Sequence, residues 1–453
     1  MENSALIKKY NVPVPRYTSY PTVPFWDNNS FNKTLWIKEV KQAFNQSNQK
    51  SGISIYIHLP YCESLCTYCG CNTRITKNHG VEEPYIKAIE KEWMMYEDLF
   101  HEKPIIKELH LGGGTPTFFT PENLKSLITN ILSGCEIHPE AEFSFEAHPA
   151  NTTQAHLETL YELGFRRLSL GIQDFDPKVQ QIINRHQTFE EVKEVTENAR
   201  NLGYTSINYD LIYGLPLQNI AGLLDTLDKV KLLNPDRIAF YNYAHVPWIK
   251  PGQRMFTELD LPNYELKQQL YELGRSVLIA AGYQEIGMDH FALPSDSLYK
   301  SQEDRKLHRN FMGYTHQYTQ LMIGLGVSSI SDSWTAFAQN VKKVEEYLEL
   351  IDAGELPVFK GHLLNESDLI LRKHILKIMC HGETTWDRLD LMHHEFKKSL
   401  HRLYEFEKDG LIIKTDHKLK VTPKGKRFLR NICSAFDARL HEEKPKEQLF
   451  SMA

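Results

Sequence analysis

The sequence predicts an α/β protein, with an incomplete (β/α)6 parallel barrel followed by a C-terminal, mostly helical, winged-helix-like domain. Three observations predict this fold. Between residues 50 and 250 a short apolar strand and an amphipathic helix alternate six times, which is typical of parallel βα units. Five of the six strands alternate apolar with polar residues, whereas parallel strands buried on both faces are continuously apolar. After about residue 360, helical segments precede two short strands and a basic last helix.

The strands show an apolar period of two and the helices a period of 3.6. One helix carries Ile86, Ile89, Trp93, Tyr96 and Phe100 on a single face, and another runs from Phe189 to a stop at Gly203. We predict an N-terminal extension over the barrel at 1–49, the barrel with its extension at 50–359, and a lid domain at 360–453 with a helix near 384–392. The predicted strands are 53–60, 106–112, 142–149, 166–175, 206–214 and 237–245.

The polar rows of these strands point to a ligand. Helices cover the outside of a βα barrel, so the apolar rows face outward and the polar rows line the lumen. A lumen lined by Tyr56, His58, Glu146, Gln173 and Asp210 leaves buried polar groups without partners unless a polar ligand or water fills it. An open sheet with one wet face is the alternative. Active sites of βα barrels lie at the carboxyl ends of the strands.

Composition excludes several classes of protein. The 453 residues include 52 Lys and Arg against 58 Asp and Glu, a net charge of −6, so a generally polyanion-binding surface is excluded. No apolar run approaches the ~18 residues that a membrane span needs, and the start lacks the apolar segment of a signal peptide. We therefore expect a soluble, cytoplasmic protein with no membrane or nucleic-acid partner.

Four of the seven cysteines, Cys62, Cys66, Cys69 and Cys71, fall within ten residues after the first strand. An odd cysteine count argues against a disulfide framework. Three thiolates spaced as in Cys62, Cys66 and Cys69 are suited to hold three irons of a 4Fe–4S cluster and leave the fourth open. Cys71 follows Cys69 too closely to reach the same cluster without strain. A zinc site remains an alternative, although no second pair of cysteines accompanies it. The scattered cysteines are expected to be buried thiols: Cys135, Cys380 and Cys433.

These motifs carry a family resemblance. The three-cysteine loop with an aromatic Tyr68 before its last cysteine, and GGGTPT (112–117) after the second strand, resemble the radical S-adenosylmethionine superfamily. Almost the whole chain is similar to the oxygen-independent coproporphyrinogen III oxidases, and the Cys69-x-Cys71 pair is the most specific sign. The related haem chaperones share the cysteine loop and are the alternative. The matching segments include PRYTSYPT (15–22), LGIQDFDPKVQQIINR (170–185), GMDHFALP (287–294), LHRNFMGYT (307–315) and RNICSAFD (430–437).

The resemblance implies a role for individual residues. Cys62, Cys66 and Cys69 are the cluster ligands, and Cys71 has a catalytic role outside ligation. Contacts to the S-adenosylmethionine on the cluster are implied for Tyr56, Tyr68, Gly113, Glu146, Ala244 and Ile330. Contacts to a second S-adenosylmethionine are implied for Gly114, Thr115, Gln173, Arg185 and Asp210. A tetracarboxylate substrate needs a local cationic clamp in an acidic protein, for which the candidates are Arg16, Arg74, Arg185, His308 and Arg309.

The implied activity is oxidative decarboxylation of two propionates of coproporphyrinogen III to the vinyl groups of protoporphyrinogen IX, in haem biosynthesis. A 5′-deoxyadenosyl radical, made when the reduced cluster cleaves S-adenosylmethionine, abstracts the hydrogen. The implied partners are the tetrapyrrole and an electron donor such as a flavodoxin or ferredoxin, and a monomer is expected. Basic residues raise DNA binding as an alternative for the C-terminal region, but a lid over the open barrel is expected: Lys414, Lys418, Lys420, Lys424, Lys426, Arg427 and Arg430.

Overall fold

The computed structural model describes residues 2–442. Met1, at the start of the predicted first domain, and residues 443–453, at the end of the predicted last domain, lie outside the described residues. A twelve-stranded sheet dominates the structure. The strands are β1 Ile53–Leu59, β2 Tyr61–Cys62, β3 Arg74–Ile75, β4 Ile105–Gly113, β5 Glu136–Ala147, β6 Phe165–Gln173, β7 Ser206–Tyr213, β8 Arg237–Asn242, β9 Gln284–Gly287, β10 His290–Ala292, β11 His308–Asn310, β12 Gly313–Thr315, β13 Met322–Leu325, β14 Ile330–Asp332, β15 Ala336–Asn340, β16 Val358–Leu363, β17 Glu383–Thr385, β18 Ile412–Lys414 and β19 Lys418–Val421.

Helices follow most of these strands. They are α1 Glu2–Tyr10, α2 Lys33–Ser51, α3 Glu82–Glu97, α4 Pro121–Leu132, α5 Gln154–Glu162, α6 Pro177–Ile182, α7 Phe189–Leu202, α8 Ile220–Leu233, α9 Tyr264–Ala280, α10 Ser297–Glu303, α11 Val344–Asp352, α12 Glu366–His381, α13 His394–Arg402, α14 Tyr404–Lys408, α15 Leu429–Ser434 and α16 Ala438–Glu442. Local chemistry sets the bounds of the predicted helix α7, where Thr188 forms a capping box with Glu191 and Gly203 ends the helix at φ 103°.

The six predicted strands form the parallel centre of the sheet. Strands β1, β4, β5, β6, β7 and β8 are neighbours in chain order and pair parallel, which confirms the incomplete parallel (β/α)6 barrel. Beyond β1 the sheet continues through β13 to β16, and beyond β8 through β10 and β9. Because β8 pairs with β10 rather than with β1, the barrel stays open. These flanking strands were not predicted.

The apolar rows of the strands face the helices, as the period of two predicts. Ile55, Leu109, Phe145 and Leu170 are fully buried in one core with apolar residues of α3, α4, α5, α7 and α8. Burying each such side chain contributes about 1.5–3 kcal/mol. The helical layer therefore fixes the outer face of each strand and leaves the polar rows to the lumen.

At its amino end the lumen is closed by charged side chains that pair with each other. Arg167 of β6 pairs with Glu142 of β5, and Arg237 of β8 donates to Asp296 at 2.7 Å. Glu108 of β4 accepts hydrogen bonds from Ser54 and Thr315. At this end the charged side chains are partnered within the protein, whereas the sequence predicted that a polar ligand or water fills the polar lumen. The demand for a ligand is confined to the carboxyl end.

The C-terminal region has its own apolar core, which the N-terminal residues share. Leu6, Tyr10 and Tyr17 pack there with residues of α12, α13 and α15. Strands β17, β19 and β18 form a three-stranded sheet, consistent with a winged helix, and we call residues 410–430 the basic wing. The predicted helix at 384–392 is wrong, because this segment forms β17 and a single turn at 390–392. The predicted domain boundaries stay a prediction.

Within residues 2–442, no helix is both long and apolar enough to cross a membrane.

Candidate active site at the carboxyl end of the sheet

The cysteine loop follows β1 at the carboxyl end of the sheet and is held there by α6. Thr67 donates its N–H to the carbonyl of Ile183 at 2.9 Å, and Asn184 donates to the carbonyl of Leu65 at 2.8 Å. Arg185 approaches the sulfur of Cys66 at 3.6 Å, and the Cys62 sulfur lies 3.3 Å from the Thr115 hydroxyl. All four cysteines of the loop are free thiols. The structure thus brings Cys62, Cys66 and Cys69 together beside two predicted cofactor contacts.

The thiols of Cys62 and Cys69 differ in their ease of ionisation. Burial raises the pKa of Cys62 to about 11. A hydrogen bond from the Cys71 thiol lowers the pKa of Cys69 to about 6, and the Cys71 N–H also lies 3.4 Å from the Cys69 sulfur. Burial alone opposes a thiolate, so charged and hydrogen-bonding neighbours favour it at Cys69. Cys71 therefore contacts a predicted ligand through hydrogen bonds.

Glycines after β4 make room for close approach beside this loop. At Gly112 a Cβ atom would stand 3.0 Å from the Tyr56 ring and 3.2 Å from the Glu146 carboxyl carbon. Gly113 has φ 115°, and a Cβ atom there would lie 2.6 Å from the His58 ring. A side chain at either position would displace polar groups of the lumen. Gly114 donates its N–H to the carbonyl of Leu59 at 2.8 Å, so the turn is fixed against β1.

Glu146 and Tyr56 line the lumen wall below this turn. The Gly113 N–H donates to Glu146 at 3.1 Å, and His110 lies 3.6 Å from the same carboxylate. Burial opposes its ionisation, but His110 and the Gly113 N–H outweigh it, so the pKa of Glu146 lies below its ordinary value. The Tyr56 ring stacks on His110 with centroids 5.9 Å apart. Glu146 is thus an ionised acceptor facing the space above it.

Three residues of the second predicted contact set are Gln173 on β6, Asp210 on β7 and Arg185 after α6, and Arg185 contacts Cys66 of the cysteine loop. The guanidinium of Arg185 donates to the carbonyl of Gly171 and to Gln187 at 3.0 Å. Gln173 is buried at φ 66°, where β6 has a bulge. Asp210 accepts hydrogen bonds from Ser169 at 3.1 Å and Asn208 at 2.9 Å. Burial, with the charge of Glu146, raises the pKa of Asp210 to about 6.

Of the remaining predicted contacts, Tyr68 and Ala244 lie on loops and Ile330 begins β14. The carbonyl of Ala244 and the carbonyl of Tyr68 both accept hydrogen bonds from the buried Gln253, at 3.2 and 3.1 Å. Gln253 therefore ties the cysteine loop to the segment after β8. The carbonyl of Ile330 stands 2.6 Å from where a Cβ atom of Gly324 would be, and Gly324 is the register partner of Tyr56.

Two of the clamp candidates meet near the ends of β8 and β10. Arg16 pairs with Asp289 at 2.7 Å and donates to the carbonyl of Asn242 at 3.5 Å. Arg309 donates to the carbonyl of Arg16 at 3.4 Å and lies over the Tyr314 ring at 4.5 Å. Arg309 is only 5% exposed, yet its Nε and Nη1 find no hydrogen-bond partner among the described residues. Unpaired donors of a buried guanidinium are able to donate charge-assisted hydrogen bonds to an anion.

The structure separates Arg74 and His308 from this pair, and the fifth clamp candidate, Arg185, lies beside Cys66. Arg74 lies at the surface, where it pairs with Glu345 at 2.7 Å and is more than half exposed. His308 lies with Glu108, Trp334 and Arg372 around a small cavity, and Glu108 belongs to the charged amino end of the lumen. Burial lowers the pKa of His308 to about 3.

Sequence reasoning missed several residues that position the site. His58 and His110 lie on the polar rows of β1 and β4, and this position was the only sequence feature that pointed to a role in the site. The His58 ring links the Tyr56 hydroxyl, at 3.1 Å, to the carbonyl of Asn72, at 2.9 Å. Gln253 gave no signal at all, since a glutamine in a loop of no regular period is indistinguishable from a solvated one.

The donor set fits an iron–sulfur cluster with an organic cofactor better than a single metal ion. Within residues 2–442, no three His, Cys, Asp or Glu side chains converge closely enough to hold a single metal ion. Three cysteines on one loop that form no disulfide suit an iron–sulfur cluster, in which each thiolate binds a different iron. The glycine turn, with Glu146 and Asp210 facing it, suits the ammonium and hydroxyl groups of an S-adenosylmethionine.

Comparisons with known proteins point to the same kind of cofactor. The family model of the radical SAM superfamily matches residues 56–230. The oxygen-independent coproporphyrinogen III oxidase of Synechocystis sp. is 38% identical over 100% of this chain and 98% of its own, and that of Helicobacter pylori is 39% identical over 95% of each. The solved structure of coproporphyrinogen III oxidase (HemN) from Escherichia coli, a radical SAM enzyme, superposes with a TM-score of 0.89, 35% identity and coverage of 96% and 99%.

Proposed function

The chain belongs to the family of the oxygen-independent coproporphyrinogen III oxidases, and on that premise we propose that it converts coproporphyrinogen III to protoporphyrinogen IX. The reaction is an oxidative decarboxylation of two propionates to vinyl groups without oxygen, a step of porphyrin and haem biosynthesis. The observation that carries the proposal is the meeting of three free thiols, a glycine turn and inward-facing carboxylates at one end of the lumen, in a chain similar to such oxidases from end to end.

The cofactors of this radical S-adenosylmethionine enzyme are a 4Fe–4S cluster and S-adenosylmethionine. When bound, they supply the one-electron reduction and the hydrogen-abstracting radical of the reaction. In our proposal Cys62, Cys66 and Cys69 hold the cluster. Cys71 stays outside ligation and acts catalytically, for which the hydrogen bond of its thiol to the Cys69 sulfur is the support.

The residues around the glycine turn bind and orient S-adenosylmethionine in this proposal. Ionised Glu146 is suited to accept from an ammonium or a ribose hydroxyl, while backbone groups of Gly113, Ala244 and Ile330 and the rings of Tyr56 and Tyr68 shape the space. The presence of two molecules is part of the proposal. The second is assigned to Gly114, Thr115, Gln173, Arg185 and Asp210, and its support is the separate hydrogen-bonded group on β6 and β7.

The substrate side of the proposal rests on Arg309 and Arg16. Each propionate loses a hydrogen atom from the carbon beta to its carboxylate, then carbon dioxide and one electron. The unpaired Nε and Nη1 donors of Arg309 are suited to hold a propionate carboxylate, because each is able to donate a charge-assisted hydrogen bond to a carboxylate oxygen. Arg74 and His308 remain predicted substrate residues without a contact that supports them.

The finer partners also belong to the proposal. We infer that a flavodoxin- or ferredoxin-like protein delivers the electrons, that the chain acts as a monomer, and that it has no nucleic-acid or membrane partner. A cytoplasmic location is inferred from the free thiols of the cysteine loop, since a reducing compartment keeps such thiols available to a cluster.

Anaerobic reconstitution followed by product analysis tests the function. The purified protein is expected to hold about four irons and four sulfides, and to form protoporphyrinogen IX from coproporphyrinogen III with a reductant and S-adenosylmethionine. Binding of haem with no vinyl product would assign the chain to the haem chaperones instead. One zinc per chain with no sulfide would reject both.

A further inference from the structure

A large cavity lies between the barrel and the C-terminal region, outside the lumen. Its walls come from α9, the turn between β9 and β10, the end of α12, the basic wing and the N-terminal residues. The cavity measures about 740 Å³, within the range of about 300–1,000 Å³ that small-molecule sites occupy. The proposed function leaves it without a role.

Positive charge dominates the cavity. Seven lysines and arginines but only three carboxylates line it. Each carboxylate already has a cationic partner: Glu272 pairs with Arg427, Glu285 with Arg275, and Asp289 with Arg16. The ammonium groups of Lys420 and Lys426 form no hydrogen bond or ion pair with any residue of the described chain. The cavity thus offers unneutralised cations to an anion with several charges.

The same cavity also has an apolar wall that suits a flat ring system. Tyr213 and Tyr271 lie side by side with ring centroids 5.3 Å apart, and Met288, Met379 and Phe428 also line it. Asn242, at the end of β8, contributes a buried Oδ1 with no hydrogen-bond partner among the described residues. Apolar walls with a few polar groups are the usual composition of sites for large organic ligands.

Arg16 connects the cavity with the proposed substrate clamp. Its guanidinium contacts Asp289 and the carbonyl of Asn242, both residues of the cavity wall. Its own carbonyl accepts from Arg309. A carboxylate leaving the cavity therefore meets Arg16 and then the unpaired donors of Arg309.

We propose that this cavity binds the polycarboxylate tetrapyrrole outside the lumen, with Lys420 and Lys426 holding carboxylates of the macrocycle before it reaches Arg309. The inference rests on the proposed function for the identity of the ligand. It also gives the basic wing a role, since Lys420 and Lys426 line this cavity and carry the charge opposite to that of the ligand.

Equilibrium dialysis with a stable porphyrin tests the cavity independently of turnover. The probes are coproporphyrin III, with four carboxylates, and mesoporphyrin IX, with two. The reconstituted full chain is expected to bind the tetracarboxylate more tightly, and added salt is expected to weaken it, because exposed charges are screened. The double variant Lys420→Glu with Lys426→Glu is expected to weaken coproporphyrin III binding about tenfold, which is about 1.4 kcal/mol.

A matched variant and a kinetic readout complete the test. Lys397 and Lys408 are exposed on α13 and α14 of the same region and do not line the cavity, so the double variant Lys397→Glu with Lys408→Glu changes the net charge equally and is expected to bind the probe like the wild type. In turnover, the cavity double variant is expected to raise KM rather than lower kcat. Unchanged probe binding in the cavity double variant, or equal weakening in the control double variant, would overturn the cavity site. An inactive wild type would instead overturn the proposed function, while the dialysis result would still decide on the cavity.

Discussion

Replacing Arg309 with methionine is expected to move stability and substrate binding in opposite directions. Two donors of the buried Arg309 guanidinium lack partners, and each unpaired buried donor costs about 1–3 kcal/mol. Against this stand the contact with the Tyr314 ring, which contributes about 0.5–2 kcal/mol, and one long hydrogen bond to the carbonyl of Arg16. Arg309→Met therefore stabilises the ligand-free protein, by about 1–2 kcal/mol on balance.

Substrate binding is expected to suffer from the same change. A hydrogen bond to a charged group contributes about 1.5–3 kcal/mol, so losing the clamp raises KM by about 10- to 150-fold. Thermal melting of the ligand-free chain and anaerobic kinetics of vinyl formation measure the two effects. Arg309→Lys is expected to have a KM between those of the wild type and Arg309→Met, since lysine retains the charge without the planar guanidinium.

Arg372 provides the matched control for this experiment. It is as buried as Arg309, at 5% exposure, and lies 4.2 Å over the Trp334 ring, but it is paired with Asp332 and donates to the carbonyl of Trp334 at 2.7 Å. Arg372→Met removes the ion-pair partner of Asp332, whose side chain is 14% exposed, and is expected to destabilise the chain by about 1.5–3 kcal/mol. If Arg309→Met melts at lower temperature in the same way and leaves KM unchanged, Arg309 is structural and the clamp argument fails.

Three further changes test the site and its supports. Burial raises the pKa of Glu92 on α3 from 4.5 to about 7, so its contribution to stability is complete below pH 4.5 and is lost as the pH rises through 7, about 3 kcal/mol in all. The free energy of unfolding of Glu92→Gln is expected to lack this dependence on pH. If the melting temperatures of the variant and the wild type change with pH in the same way, the prediction is wrong. Cys71→Ser is expected to keep about four irons and abolish vinyl formation, whereas iron loss would make Cys71 a ligand. In Gly113→Ala the added Cβ atom would lie 2.6 Å from the His58 ring, at a φ of 115°, and the change is expected to weaken S-adenosylmethionine binding at least about tenfold. Gly70→Ala is the control, because nothing lies within 4 Å of its added Cβ atom. Equal affinities of the two variants for S-adenosylmethionine would contradict a role of the glycine turn in binding.

The alternation of the strands was enough to predict the lumen wall. A period of two places every second side chain on one face, so Glu146 and Asp210 were assigned inward from sequence, and the register pairs Gly171 with Asp210 and Glu146 with Ser169. The same rule did not reveal that Arg167 and Glu142 neutralise each other. That requires the register between strands, which the pattern within one strand does not contain.

The clamp and the cavity lay beyond sequence reasoning for a different reason. Arg309 and Arg16 are 293 positions apart, and they meet because the N-terminal residues share an apolar core with the C-terminal region, where Tyr17 donates to Asp437 at 3.1 Å. No periodicity links such distant segments. The sequence showed the positive charges of the basic wing, but it did not show which surface these side chains line. Lys420 and Lys426 are exposed, and they line the cavity between the barrel and the C-terminal region. Holding a polycarboxylate ligand in that cavity is the role that we propose for these two lysines.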